Sequence, residues 1–356
     1  MGSNRYLVLI SDTHQTCGVE EFSRLLAARF EARAVTHRLD FNLPNLFRSL
    51  KGVDGLVVNF PVVAWKKKLL EPLLAACTAR LSGKGVHVIL HEWSALDWKR
   101  RLVLSPVVLL ATELCFSAPE IEAEFESTGL AKIATGNRTV IPIPPNLSPP
   151  EKLIPGAFAE KLRSERANGR LIIGQFGSIY PQKQVSSVLS VAADLKKRGT
   201  DVFVAFAGSF IKGLDNVEED FFAAVKNEGL SGQVAVSGFI GSEEELFAIF
   251  QEVDVFCYLL PGGLTARRGS VLTAAASGKP VVVNAPSSRT ALAHHSLFQR
   301  LIETGSIQLV PTDAGIPATA DAVLTAQGKD IGPSDIASEV DRLWDDVIIR
   351  MDHRAG

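Results

Sequence analysis

Apolar residues along this chain fall into short continuous runs, separated by stretches in which they recur every three to four positions. Tyr6 to Ile10 (YLVLI) is such a run, closed by turn-forming residues, as a strand buried on both faces of a parallel sheet requires. In the EEFSRLLAARF that follows, Phe22, Leu25, Leu26 and Phe30 share one helical face, and Arg24, Arg29 and Glu31 take the other. The alternation predicts a strand at Gly55–Phe60, a helix at Lys68–Ser82 and a strand at Val86–Leu90, then further apolar runs at Val107–Leu110 and in the LCFS after it. This is a βαβ series, hence a parallel sheet covered by helices.

The texture changes after Val140. IPIPPNLSPPEKLIPG carries prolines at 142, 144, 145, 149, 150 and 155, which forbid a regular helix or a central strand. A second alternating series then begins. Strands are expected in LIIGQFG, VFVAFAG, QVAVSGF, VDVFCYLL and PVVVN, with helices at Val185–Arg198, Glu218–Asn227, Glu243–Gln251 and Val271–Ser277 between them. The final SDIASEVDRLWDDVIIRM gathers Ile336, Val340, Leu343, Trp344, Val347 and Ile348 on one face, an amphipathic helix in need of something to pack against. The expected organisation is a Rossmann-like domain over 1–147, a linker over 148–168, a second Rossmann-like domain over 169–333 and a C-terminal helix within 334–356. Ligands of such sheets gather at the carboxyl ends of the strands.

Composition narrows the partners. The 356 residues are 46% hydrophobic, enough for two cores, and 37 Lys+Arg against 39 Asp+Glu leave a net charge of −2. No global field favours nucleic acid, so any anion site is local. Cys17, Cys77, Cys115 and Cys257 lack the spacing of a zinc or redox site, which suits thiols in a reducing cytoplasm. No apolar segment reaches signal or membrane-span length, and an unexported, cytoplasmic protein is expected.

Two segments carry candidate chemistry. Gly177-Ser178-Ile179-Tyr180-Pro181-Gln182-Lys183 leaves the first strand of the second series, and its lysine stands near a helix start, where phosphate binds well. In PGGLTARRGSVLTAAASGKPVVV, Arg267 and Arg268 with Gly269 and Ser270 precede a helix expected near Val271. Two cations at the positive end of a helix conflict unless an anion joins them. Each arginine alone serves equally well as a partner for an acid elsewhere.

Together these segments resemble the GT-B fold glycosyltransferases, in particular the retaining, sugar-nucleotide-dependent group called glycosyltransferase family four, over most of the chain. The family's Gly-Arg-Leu-x-x-x-Lys-Gly pattern is matched by Gly177 to Gln184, with Lys183 kept and Ser178 at the arginine position. Its Glu-x7-Glu segment is matched by Thr265 to Val282, with Thr265 and Thr273 replacing both glutamates. The family's Gly-Gly-x-Glu turn is matched by Cys17, Gly18 and Glu20, and its strand-end histidine by His91 after VIL, with His14 a lesser candidate. Ser237-Gly238-Phe239-Ile240 is similar to the loop that reads the nucleobase.

The resemblance implies two Rossmann-like domains facing across a cleft, the last helix crossing back to the first, and transfer of a sugar from a nucleoside diphosphate sugar to a hydroxyl acceptor with retention. Lys183, Arg267, Arg268 and the amides of Gly269 and Ser270 would meet the diphosphate, and His91 would orient the sugar. Gly177, Ser178, Phe239, Ile240, Thr265, Thr273 and Gly18 would line the donor side, and Cys17 and Glu20 the acceptor side. No cofactor is implied. No Asp-x-Asp pair is placed for a metal, since Asp345-Asp346 falls on the last helix. Trp93, Trp98, Lys99, Arg100 and Arg101 form an aromatic and basic patch for an anionic acceptor, a peripheral membrane contact or plain solvent. His294-His295 are expected on a helix and solvated. The missing glutamates also suit a catalytically inactive subunit that partners an active transferase; an epimerase or phosphorylase fits less well.

Overall fold

The computed structural model describes residues 4–11, 17–62, 65, 68–180, 184–211, 216–288, 290–329 and 336–352, with the backbone alone at 184 and 185. Contacts divide the chain into two units, Met1–Asn146 with Asp341–Gly356, and Leu147–Val340. Each is built on one six-stranded, wholly parallel sheet.

The first sheet contains β1 (Tyr6–Ser11), β2 (Ala34–Leu39), β3 (Gly55–Phe60), β4 (Gly85–Leu90), β5 (Glu113–Phe116) and β6 (Asn137–Val140), in the order β2-β1-β3-β4-β5-β6. β1 and β3 are buried at every position, the signature of strands covered on both faces. β2 buries only His37 and Leu39, because it is an edge strand, and its mixed sequence gave no apolar run. The crossovers are α1 (Gly18–Phe30), α2 (Leu43–Lys51), α3 (Leu70–Leu81), α4 (Trp98–Leu110) and α5 (Pro119–Glu126), with α2, α3 and α4 packed side by side. Val107–Leu110, an apolar run in the expected series, is the end of α4. It is apolar because Val107 and Val108 face the sheet side of that helix.

The second unit opens with α6 (Ala157–Ala167), a helix inside the stretch expected as linker, which buries Ala159 and Leu162. Then come β7 (Leu171–Phe176), α7 (Gln184–Lys197), β8 (Val202–Ala207), α8 (Val217–Asn227), β9 (Val234–Val236), α9 (Glu243–Gln251), β10 (Val255–Tyr258), α10 (Gly269–Ala276) and β11 (Val281–Asn284). α11 (Ser296–Glu303), β12 (Ile307–Val310) and α12 (Gly315–Ala326) complete it. The order β12-β11-β10-β7-β8-β9 is, counted within the unit, the dinucleotide-binding order 3-2-1-4-5-6, which reverses between β7 and β10. His295 corrects an expectation: it is fully buried, not solvated. Its Nδ1 caps α11 by accepting from the Phe298 amide at 3.4 Å, and its ring packs on Phe298 at 4.8 Å.

α13 (Ile336–Asp352) belongs to the first unit from Asp341 onward. Trp344 stacks on Phe22 of α1 with ring centres 5.3 Å apart. Asp352 accepts from the Tyr6 hydroxyl at 2.9 Å and pairs with Arg33 at 2.8 Å, and Arg350 donates to the Val140 carbonyl at 2.9 Å. The apolar face seen in the sequence therefore closes over α1 and the polar residues at its end tie it to the sheet.

Candidate functional site

In the second unit the loops after β7, β8, β9 and β10 leave the same carboxyl edge, and the strand order reverses between β7 and β10. The β7 and β8 loops touch through bare backbone. A Cβ on Gly208 would fall on the Gly177 carbonyl, and Gly177 itself has φ 127, which side chains rarely adopt. Gly177 N–H donates to the Ala207 carbonyl at 3.1 Å, and Ile179 N–H to Ser209 at 3.0 Å, so the two loops run as a pair beyond the sheet. The Ser237 hydroxyl accepts from Gly208 N–H at 3.0 Å and joins the β9 loop to them. Phe239 is exposed beyond it and Ile240 half-buried.

The β10 loop arrives from the other side. Asn284 clamps Leu260 with two bonds of 2.7 Å, Oδ1 accepting from its amide and Nδ2 donating to its carbonyl. Gly263 lies so close to the end of β11 that a Cβ would meet the Ala285 carbonyl. The loop ends in Thr265, Ala266, Arg267 and Arg268, and α10 starts at Gly269, two residues ahead of the sequence expectation. Gly269 N–H donates to the Arg267 carbonyl at 3.0 Å, so this amide, expected to face a ligand, is already engaged. α10 has no acidic residue in its first turn and no side-chain cap from Arg268. Its positive end thus follows directly on two arginines in the chain.

Tyr258, which the sequence reading passed over, connects the two sides. Its hydroxyl accepts from Phe176 N–H at 3.0 Å and lies 3.4 Å from the Ser270 carbonyl. Burial pushes this phenol above its ordinary range, so it stays protonated and neutral. The neighbouring Cys257 thiol is pushed up to about 12 by burial, which leaves it inert as a nucleophile. A Cβ at Gly177 would lie 3.7 Å from Ser270 Cβ, so the β7 loop and the start of α10 adjoin. The one available signal for Tyr258 was a hydroxyl in the otherwise apolar VDVFCYLL.

The remaining second-unit residues divide. Ser178 is exposed next to Gly177. Thr265 Oγ1 is buried without a hydrogen-bond partner among the described residues, and Thr273 is buried on α10. Lys183 lies outside the described residues, as does His14.

In the first unit His91 follows β4 and is only 7% exposed. Its Nε2 is 3.2 Å from Asn59 Oδ1, its amide donates to Phe60, and its ring packs edge-on against Phe22. Glu20 is turned inward and almost wholly buried. Its carboxylate accepts from Ser11 N–H at 2.9 Å and the Ser11 hydroxyl at 2.6 Å and pairs with Arg24 at 2.7 Å, bracing the end of β1. Cys17 is half-buried ahead of α1, and the exposed Gly18 accepts from Asn146 Nδ2 at 3.0 Å. None of the four cysteines is in a disulfide. Trp93 is buried against Phe125, apart from the exposed Trp98. Asp346 pairs with Arg350 at 2.8 Å on α13. Among the described residues no helix is long and apolar enough to cross a membrane.

These two parallel sheets with their helix layers are the α/β architecture of the GT-B glycosyltransferases. Residues 158–308, which contain the whole of this second-unit edge, match the family model Glycosyl transferases group 1. Among solved structures, Anabaena Alr3699/HepE in complex with UDP and glucose is similar with a TM-score of 0.65 and 15% identity, over 98% of this chain and 97% of that one. Sucrose-phosphate synthase from Thermosynechococcus elongatus gives a TM-score of 0.53 and 15% identity over 97% and 100% of the two chains. WaaG, a glycosyltransferase involved in lipopolysaccharide biosynthesis, gives 0.56 and 11% over 96% and 95%. No curated protein matches the sequence.

Proposed function

We propose that this chain is a glycosyltransferase of the GT-B class that moves a sugar from a nucleoside diphosphate sugar to a hydroxyl acceptor, with retention of anomeric configuration. The observation that carries the reading is the start of α10: a helix without an acid or side-chain cap, preceded by Arg267 and Arg268, adjoining the Gly177 loop inside the segment that matches glycosyl transferases group 1. Breaking the bond between the anomeric carbon and the diphosphate builds negative charge on the departing group. Positive potential fixed in advance at that point is the largest service the protein can render. Arg267, Arg268, Lys183 and the remaining amides of α10 would supply it in place of a metal. Bare backbone at Gly177 lets the diphosphate come close, and Tyr258 would hold that loop at its working distance from α10.

The exposed Phe239 and the Ser237 loop would border the base, with Thr265 and Thr273 near the sugar and ribose, where hydroxyls take over from the family's carboxylates. His91 would orient the sugar from the first unit; Cys17, Gly18 and Glu20 would shape the acceptor side, with Glu20 acting by bracing β1. UDP-glucose, bound by one Anabaena structure, is the first donor to try, and UDP, bound by another, the first leaving group. Such an enzyme would work in the cytoplasm, with a peripheral membrane contact where its acceptor is carried by lipid.

The test is a panel of sugar nucleotides assayed for nucleoside diphosphate release, with and without hydroxyl acceptors, beside thermal melting with the same ligands. The reading expects one donor to raise the melting point and to be consumed. Binding without turnover on any acceptor would leave the partner-subunit alternative, and no binding at all would remove the reading.

A further inference from the structure

The amino edge of the first sheet is the one away from the loops where ligands of such sheets gather. There β1, β3 and β4 begin at Tyr6, Gly55 and Gly85, which are neighbours in register across the three strands. The two glycines make room for two rings. A Cβ on Gly55 would stand 3.0 Å from Tyr6 Cδ1, and one on Gly85 would stand 3.2 Å from His87 Nε2, so both rings lie over bare backbone. The rings meet edge to face with centres 5.3 Å apart. A cavity of about 390 Å³ opens beside them, lined by Asn4, Tyr6, Asp54, Ser82, Lys84 and His87 as well as the glycines.

The two rings are satisfied very differently. The Tyr6 hydroxyl donates to Asp352 at 2.9 Å. His87 is 1% exposed, and its Nδ1 has no hydrogen-bond partner among the described residues. Burial keeps this imidazole neutral at ordinary pH, so it carries one donor and one acceptor. A buried polar ring on a cavity wall is costly to leave unbonded, and a group in the cavity that bonds to it relieves that cost. Nδ1 is enclosed, whereas Nε2 lies over the bare Gly85 and is the atom a ligand can reach.

The rim sets the class of ligand. Asp54 is exposed, and its Oδ2 accepts from Arg5 N–H at 2.8 Å; the Lys84 ammonium donates to the Val53 carbonyl. One acid and one base among the lining residues cancel, and each already has a backbone partner, so an ion of either sign gains little. α3 ends at Leu81, directly ahead of Ser82, which brings the negative end of a helix to the rim, the reverse of a phosphate site. The Ser82 hydroxyl and the Asn4 carboxamide can each donate and accept. We propose that this cavity binds a neutral, polyhydroxylated molecule of about monosaccharide size, its hydroxyls bonding to His87 Nε2, Asp54 and Ser82. A hydroxyl is donor and acceptor at once, so it can serve the neutral imidazole on one side and the carboxylate on the other. His91 and the start of α1 lie beyond the opposite ends of these strands, and the site stands apart from the transfer reading. Its ligand takes no part in that chemistry and acts by stabilising the first unit through linkage.

The experiment is thermal melting and isothermal titration of the purified full chain with glucose, N-acetylglucosamine and inositol, beside glycine and inorganic phosphate. At least one neutral polyol should bind saturably and raise the melting point, and glycine and phosphate should not. His87→Phe keeps a buried ring but removes Nε2, and should weaken that polyol by about tenfold. Asp54→Asn, on the exposed rim, should weaken it several-fold and keeps the test open should the His87 variant fail to fold. The UDP response of both variants should match the parent's. No saturable polyol, glycine or phosphate binding in its place, or a polyol that both variants bind as tightly as the parent, and which therefore sits elsewhere, would each overturn the proposal. Polyol binding that the variants weaken, in a chain that ignores every nucleotide, would instead uphold this site and remove the transfer reading.

Discussion

Helices α9 and α10 both start at the carboxyl edge of the second sheet, yet their first turns are finished in opposite ways. α9 is completed by the protein: the Ser242 hydroxyl accepts from Glu245 N–H at 3.3 Å, and Glu243, Glu244 and Glu245 place negative charge at its positive end. The Ser242 hydroxyl also donates to Glu244 and holds that carboxyl below its ordinary range. α10 has neither cap nor acid and is preceded by two arginines. Local stability alone would select the first arrangement everywhere. The second leaves that positive end without an acid of its own, and it occurs where the strand order reverses.

Charge reversal should separate the two helices most sharply. Arg267→Glu with Arg268→Glu is expected to lower the transfer rate by about 10²- to 10⁴-fold, two charge-assisted contacts being worth about 1.5–3 kcal/mol each. The same change should leave the melting temperature equal or slightly raised, because acids suit a helix start. Initial rates beside thermal melts check both signs.

The first unit offers a contrast of another kind, a titratable ring buried edge-on against Tyr6. His87 has its pKa lowered from 6.5 to about 4 by burial, which the Asp352 charge partly opposes, and its Nδ1 is buried without a hydrogen-bond partner among the described residues. Because the folded value lies below the unfolded one, the unfolded chain binds the extra proton between them. Its contribution is therefore complete above about pH 6.5 and is lost as pH falls toward about 4, by about 3 kcal/mol in total. Denaturation curves across this range should show that slope, and His87→Phe should flatten it.

Tyr258→Phe comes next. It removes the acceptor of Phe176 N–H and should cost about 1–3 kcal/mol. It should also weaken UDP binding through the Gly177 loop, which isothermal titration would read. Ser242→Ala is the smallest change, about 1 kcal/mol of stability by urea denaturation. UDP affinity should be untouched, which places α9 outside the site.

Periodicity made the strands β1, β3, β7 and β8 legible, because burial on both faces gives each a run of consecutive apolar residues. It missed β2, whose outer face is wet, and α6, which buries only Ala159 and Leu162 beyond a proline-rich stretch. The cationic start of α10 could be read from Arg267-Arg268-Gly269 because a charge conflict is local to the sequence. Tyr258 and Asn284 were hidden for the opposite reason. Each acts across strands, on Phe176 and Leu260, and a single polar group in an apolar run does not say what it will meet. Glu20 was readable as a carboxylate near a turn, but not as one turned inward to hold Ser11.

Whether the start of α10 receives a diphosphate is decided by the UDP dissociation constant of the parent and of the Arg267→Glu, Arg268→Glu protein, each at low and high salt. The parent should weaken as salt rises, and the variant should bind about a hundredfold or more weakly, with little salt dependence left. Equal affinity in the two proteins, with the same response to salt, would contradict it.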